Sequence, residues 1–456
     1  MLKRFINRLI GRDFDSAEAS GPTIIPRDQH NISRQNISEP AKKVLHRLAK
    51  SGYEAFLVGG GVRDTLLGGQ PKDFDIATNA TPEQVHELFN NSRLIGRRFR
   101  LVHVLFGREV IEVTTFRGMP RDADSDPHMD VNDQGRLLRD NVYGTQQEDA
   151  LRRDFTVNAL YYDMRDFTIH DFANGMKDLR NRQLRLIGDP ATRYQEDPVR
   201  MLRAVRFAVK LGFDIADDTA QPILEWAHLL HDIPPARLFE EVLKLFTNGQ
   251  GEATYEMLQQ FNLFEPLFPD SAQAIAQGES DEVIRRALAN TDRRVNQNKP
   301  ITPYFLYAAL LWPALLIQWR HEMEETSQPQ YQSLQQAAGE VTQRQTAATS
   351  IPKRFSVPMR EIWELQVRLP KRGGRRADRM LEHPRFRAAY DFLLVREAAG
   401  EATEGLGAWW TEYQDADENR RRQMIGELGG PGKAGGGGKK KPRRRRNRKP
   451  KQSADE

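Results

Sequence analysis

Hydrophobic and polar positions fall into two textures along the chain, with polar ends. Up to about residue 175, short apolar runs alternate with helical patterns. The chain predicts a helix near Glu39–Lys50, with Ser38 as its cap and Pro40 in its first turn. EAFLV (54–58) reads as a strand, followed by a glycine turn and a short helix, VRDTLLG. DFDIAT (73–78) is a second strand, and a helix starts after Thr81 and Pro82. Strict alternation in LVHVLFG (101–107) and EVIEVTTF (109–116) predicts a hairpin around Gly107 and Arg108. Arg117 to Tyr143 reads as a long acidic loop, and residues 12–37 as a polar linker. After Gly188 the pattern turns helical to about 420. Amphipathic segments stand out at 197–211, 220–230, 235–248 and 252–262 and are less regular from 302. No fixed-period repeat supports a solenoid. The predicted fold class is α+β: a mixed-sheet domain followed by all-helical regions.

Composition narrows the function. The 456 residues contain no cysteine, which excludes disulfide scaffolds, thiolate-bound zinc, iron–sulfur clusters and thiol nucleophiles. No apolar run approaches the ~20 residues of a membrane-spanning helix, and MLKRFINRLIGRDF is too short and too interrupted for an ordinary secretory signal. A cytoplasmic location is expected. Residues 1–11 put Leu2, Phe5, Ile6, Leu9 and Ile10 opposite Lys3, Arg4 and Arg8, so peripheral membrane contact is one reading and a frayed terminus the plainer one. The net charge of +5 is uneven: Lys433–Glu456 holds eleven Lys/Arg and two acids, which leaves −4 for the rest. Such an arm reads as disordered and suited to sequence-blind binding of RNA phosphates, with a merely solubilising role as the alternative.

The chemistry concentrates in LVGGGVRDTLLGGQPKDFDIAT (57–78). On one strand, Asp73 and Asp75 would point the same way, about 6.6 Å apart. Two carboxylates so placed call for a cation, and Mg²⁺ favours one or two carboxylates plus substrate phosphates. Gly59, Gly60 and Gly61 sit between strand and helix, where backbone amides can approach a phosphate, and Arg63 follows one turn later. Either motif alone is weak; coupled, they suit nucleotidyl transfer.

This pattern resembles the class II nucleotidyltransferase family, which holds bacterial poly(A) polymerases and CCA-adding tRNA nucleotidyltransferases. The resemblance continues through LRRDFTVNALYYD (151–163), FTIHDFANGMKDL (167–179), EDPVRMLRAVRFAVKLGF (196–213) and PPARLFEEVLKLF (235–246). It implies a nucleotidyltransferase head at 38–180 behind an N-terminal extension at 1–37. A helical neck at 181–262, an RNA-binding body and tail at 263–428 and a disordered basic end at 429–456 would follow. It makes Asp73 and Asp75 ligands of Mg²⁺ (or Mn²⁺), and Gly59, Gly60 and Arg63 triphosphate contacts. Asp154 becomes a third essential acid and Arg153 a nucleotide contact. Glu112 is a rival third carboxylate, with a surface-facing glutamate as the commoner alternative. Asp154 paired with Arg152 or Arg153 at a helix start is the purely structural alternative for that acid.

In EDPVRMLRAVRF, Arg200, Arg203 and Arg206 recur every three residues opposite Met201, Val205 and Ala208. Asp197 has the look of a helix cap. The resemblance makes Asp197 and Arg200 readers of the incoming base, and Arg203 and Arg206 phosphate contacts or their supports. A carboxylate accepting from an exocyclic amine beside a guanidinium donating to a ring nitrogen suits adenine and cytosine alike and rejects guanine and uracil. Three features favour polyadenylation from ATP on RNA 3′ ends, in RNA turnover and with possible turnover-protein partners. They are LIGRRFRLVHVLFG (94–107), which resembles the poly(A) polymerase signature, the basic tail and the N-terminal extension. CCA addition to tRNA is the alternative, and a non-enzymatic RNA-binding adaptor the reading from another class. The loop 122–133 mimics a calcium loop but has Pro127 where glycine is needed. Trp409, Trp410 and Tyr413 are expected to pack helices rather than stack bases.

Overall fold

The computed structural model describes residues 21–96, 100–118, 129–131, 137–140 and 142–428. The basic stretch 1–11, most of the calcium-like loop and the tail 429–456 lie outside the described residues. Two caps set the first helices. The Ser38 hydroxyl accepts from the Ala41 amide at the head of Glu39–Lys50, with Pro40 in the first turn. At Pro82–Leu88 the Thr81 hydroxyl accepts from the Gln84 amide while the Gln84 side chain accepts from the Thr81 amide, a reciprocal box.

Strands β1 (Thr23–Ile25), β2 (Ala55–Val58), β3 (Asp75–Thr78), β4 (Ser92–Ile95), β5 (Leu101–Phe106) and β6 (Glu109–Thr115) join β9 (Leu160–Tyr162) and β10 (Ile169–Asp171) in one sheet. Its order is β1-β10-β9-β2-β3-β6-β5-β4. β3 and β6 run parallel, and the other neighbours run antiparallel. β2 is buried along its whole length, and Phe56, Val58, Ala77, Phe116, Ala150 and Tyr161 close a core over it. The parallel pair sets Asp75 opposite Glu112.

Three local expectations are corrected. The linker 12–37 contains β1, which edges the sheet on β10, and Ile25, Ile32 and Ile37 are buried. The strand through DFDIAT begins only at Asp75, so Asp73 lies in the turn before it and the two carboxylates do not share a strand. The acidic loop carries an antiparallel ribbon, β7 (Met129–Val131) with β8 (Leu137–Asp140).

Beyond the sheet, β11 (Gln183–Leu184) pairs in parallel with β12 (Asp214–Ile215). Between them, helix Val199–Leu211 buries Met201, Val205 and Ala208, as the three-residue Arg spacing requires. Helix Pro235–Phe246 buries Leu238, Phe239, Val242 and Leu245. The chain divides into two compact units, one of residues 1–281, 288–303 and 341–351, the other of 282–287, 304–340 and 352–456, and passes between them five times. The second unit is helical in its described part. Its core holds Trp363, whose indole donates to the Ala308 carbonyl at 3.0 Å, together with Trp410 and Tyr413, both fully buried. These two aromatics pack helices, as expected. No described helix is long and apolar enough to cross a membrane.

Candidate active site

Gly59 adopts φ 70° and ψ −140°, a conformation open to glycine, and turns the chain from β2 into helix Gly60–Leu66. A Cβ built on it would meet both the Arg153 guanidinium and an Asp75 carboxylate oxygen at 3.7 Å. The next turn packs as closely: a Cβ on Gly61 would lie 3.3 Å from the Asp73 carbonyl. The glycine turn, Asp75 and Arg153 therefore meet at one corner, with Asp73 beside them.

That corner is crowded with negative charge. Burial first, then Glu112 across the strand pair, and more weakly Asp73, push the Asp75 carboxyl up to about 6, while Arg153 opposes them. Glu112 is partly exposed and lies 3.6 Å from the His103 ring on the neighbouring strand. Of the two alternatives for Glu112, its register sets it opposite Asp75 on the neighbouring strand, while its side chain remains partly exposed. A divalent ion fits this donor set, because it would relieve repulsion that Arg153 alone does not cancel. Among the described residues no three His, Asp or Glu side chains form a ready metal cage.

Arg153 is held from behind. Its guanidinium donates to Asp149 at 3.0 Å and to the Tyr161 hydroxyl at 2.9 Å, and Tyr161 donates to Asp149 at 2.5 Å. Burial works against its charge, yet Tyr161 and Asp149 hold its pKa above the ordinary value. Neither Asp149 nor Tyr161 was picked out from the sequence, though Tyr161 lies within LRRDFTVNALYYD and Asp149 two residues before it.

Arg153 also lines a cavity of about 340 Å³ with Asp154, Asp197, Val199, Arg200, Arg203, Arg237 and Glu241. Asp154 is engaged not by Arg152 or Arg153, as the structural alternative had it, but by Arg203 from helix Val199–Leu211, whose Nε donates at 3.0 Å. Burial alone would raise the Asp154 pKa; Arg203, Asn158 and the Phe155 amide more than reverse it. Asp197 accepts from the Val199 amide at 3.3 Å, so it caps in part, and also from Arg237 at 2.8 Å. Arg200 donates to Glu196 at 2.9 Å and to the Arg193 carbonyl at 2.6 Å. Arg193 in turn donates to the carbonyls of Arg152 and Arg153 at 2.7 and 2.9 Å, tying the helical segment to the LRRD turn.

Arg237 and Glu241 are the site residues the sequence reading missed. Their signal lay in PPARLFEEVLKLF, where the two sit four apart on one helix face.

Two expected residues fall elsewhere. Arg63 does not point at the glycine turn's open side: it is only 2% exposed and donates to Asn158 at 2.5 Å and Asp64 at 2.8 Å, over the Phe207 ring. Asn158 and Phe207, which enclose it, lie far along the chain, so burial overrides the reach that one helical turn suggests. Arg206 does not line the cavity; it lies 4.7 Å from the Phe207 ring centroid, and its buried Nε has no hydrogen-bond partner.

Three family models match in order: the poly A polymerase head domain over residues 55–185, the "probable RNA and SrmB-binding site of polymerase A" over 212–275, and the polymerase A arginine-rich C-terminus over 326–450. The poly(A) polymerase I of Salmonella typhimurium is 49% identical over 434 residues, 93% of each chain. The CCA-adding enzyme of Bacillus pumilus is 38% identical over 224 residues, 49% of this chain and 54% of its own. Among solved structures, the Bacillus stearothermophilus CCA-adding enzyme in complex with CTP matches with a TM-score of 0.55 at 25% identity, over 86% of this chain and 84% of its own. The CCA-adding sequence thus matches about half of the chain while the poly(A) polymerase sequence matches nearly all of it, and the chain belongs to the bacterial poly(A) polymerase I family, whose members extend RNA 3′ ends with AMP without a template.

Proposed function

We propose that the two halves joined by Arg153 divide the labour of adding AMP from ATP to RNA 3′ ends. The observation that carries this reading is the convergence of Gly59, Asp75 and Arg153 within one contact distance, opening onto the cavity lined by Asp197 and Arg200. Asp73 and Asp75, with Glu112 alongside, would hold divalent metal, Mg²⁺ or Mn²⁺. When bound, such an ion supplies charge neutralisation at the phosphates and a lowered pKa at the attacking 3′-hydroxyl. The amides of Gly59 and Gly60 and the Arg153 guanidinium face the triphosphate. Asp197 accepts from the adenine amine and Arg200 donates to the ring nitrogen. Asp154 and Arg203 brace each other at the cavity wall, and Arg63 and Arg206 act as positioning residues beneath the glycine turn and the helix. Entry of the nucleotide exchanges internal pairs for external ones, since Asp197 must leave Arg237 and Arg200 must leave Glu196.

We assign the enzyme to the cytoplasm and to RNA turnover, with residues 212–275 as the surface for RNA and a turnover partner. This is supported by the cysteine-free composition and by the RNA and SrmB description of that region. Primer extension on generic single-stranded RNA and on tRNA lacking its 3′ end, with ATP and CTP separately and together, tests the reading. Long A-only tails on generic RNA are expected. Addition confined to tRNA, requiring CTP and stopping after a short defined sequence, would overturn the choice of substrate. Asp73→Ala and Asp75→Ala should each abolish addition while leaving RNA binding intact, and near-normal turnover in either would sink the metal assignment.

A further inference from the structure

The second unit carries a basic turn with an aromatic neighbour that the proposed chemistry leaves unused. From Lys371 to Arg379 the chain holds five cations and one acid. The acid, Asp378, is engaged by the Tyr413 hydroxyl at 2.8 Å. Lys371, Arg375, Arg376 and Arg379 are exposed, and among the described residues none of the four is paired with a carboxylate. Elsewhere in the same unit Arg385, Arg387, Arg420 and Arg422 each hold one. Gly373 and Gly374 put open space at the middle of the turn: a Cβ on either would meet nothing within 4 Å.

Beside the turn, the Arg372 guanidinium lies over the Trp409 ring at 4.9 Å, and its Nε is buried with no hydrogen-bond partner. Trp409 stacks on Tyr413 with centroids 4.6 Å apart and planes 13° from parallel. Unlike Trp410 and Tyr413, Trp409 is only half-buried. Unpaired cations in a row next to a fixed, partly open aromatic are what a single-stranded nucleic acid needs, with phosphates on the cations and a base against the ring. An acidic protein surface would use the charges but not the ring. A lipid surface would need an apolar rim, and the exposed large apolar side chains of this unit, Met323, Val357 and Leu428, lie elsewhere in the sequence.

We infer that Lys371–Arg379 and Trp409 form a second RNA contact, which binds the single-stranded backbone without reading sequence. This rests on the polyadenylation reading and adds to it, within the second unit, a grip distinct from the 3′-end site, the 212–275 surface and the 433–456 tail. The test uses the full chain with Lys371→Ala, Arg375→Ala and Arg376→Ala combined. Binding of a long oligoadenylate is measured against salt, and AMP addition is measured on that RNA and on a trinucleotide primer. The salt slope should fall by about 2, since each phosphate contact on a single strand contributes about 0.7. The KM for the long RNA should rise about tenfold with kcat unchanged, while the trinucleotide is extended as before. Arg375→Lys with Arg376→Lys, which keeps the charges, should retain the parent slope. An unchanged slope in the triple variant, or equal losses on long and short primers, would overturn the inference. Failure of the parent chain to add AMP at all would sink the polyadenylation reading, while the binding slopes would still decide the second contact.

Discussion

Asp75 illustrates how a functional residue works against the fold that carries it. A carboxyl raised to about 6 binds its proton more tightly in the folded chain than in the unfolded one, where the ordinary value is 3.8. Its ionised form therefore destabilises the metal-free protein. That penalty is absent below pH 3.8, grows as pH rises, and is complete above 6. The span corresponds to at most about 3 kcal/mol. Asp75→Asn should raise the melting temperature in chelator at neutral pH, and the advantage should shrink towards zero as pH falls below 4. A variant less stable than the parent at neutral pH would show that the crowding of Glu112 and Asp73 is misjudged. Asp154 has the opposite sign: Arg203 depresses its pKa, so the stability it contributes is present above the ordinary carboxylate value and is lost as pH falls through the depressed one.

The glycine turn between β2 and its helix ties local backbone to chemistry. At Gly59 a side chain has room, since nothing lies closer than 3.7 Å, but the backbone conformation itself costs an L-residue on the order of 1–3 kcal/mol. At Gly60 the conformation is helical, and a Cβ would meet only the buried Arg63 guanidinium at 3.4 Å, an ordinary van der Waals distance. Gly59→Ala should therefore lower both melting temperature and ATP turnover. Gly60→Ala should leave the melting temperature near the parent's and raise the KM for ATP. Equal thermal losses in both would refute the distinction. Elements of this kind were legible where the signal is local: Ser38 and Thr81 announced their helices, and period-two alternation announced β5 and β6. β1 was not, because three residues cannot display a period. Asp73 was placed one element too far because the D-x-D spacing reads as strand whether or not backbone pairing reaches both residues. In the site, Asp75, Arg153, Asp154, Asp197 and Arg200 were named from their motifs. The burial of Arg63 was invisible because Asn158 and Phe207, which enclose it, are contributed by segments far along the chain. Arg237 was missed for the same reason: its partner Asp197 is 40 residues away.

At the scale of the whole molecule, charge is divided by position. Residues 433–456 hold eleven Lys/Arg, and they follow the last passage of the chain between its units. Deleting them should leave the melting temperature unchanged while lowering the salt slope of RNA binding by up to about 6. An unchanged slope would exclude the tail as a phosphate binder. The five passages between units constrain how such a chain can be remade. Where domains follow one another, a single genetic crossover exchanges one for another. Here, a crossover anywhere from 282 to 351 would pair part of one unit with a foreign remainder, because 288–303 and 341–351 belong with the first unit while the stretches around them belong with the second. No single crossover therefore exchanges one unit whole, and hybrids between relatives should survive best when 288–303 and 341–351 come from the same parent as 1–281, and 282–287 and 304–340 from the same parent as 352–456. New substrate preferences then arise by point substitution within the units rather than by exchange of one of them.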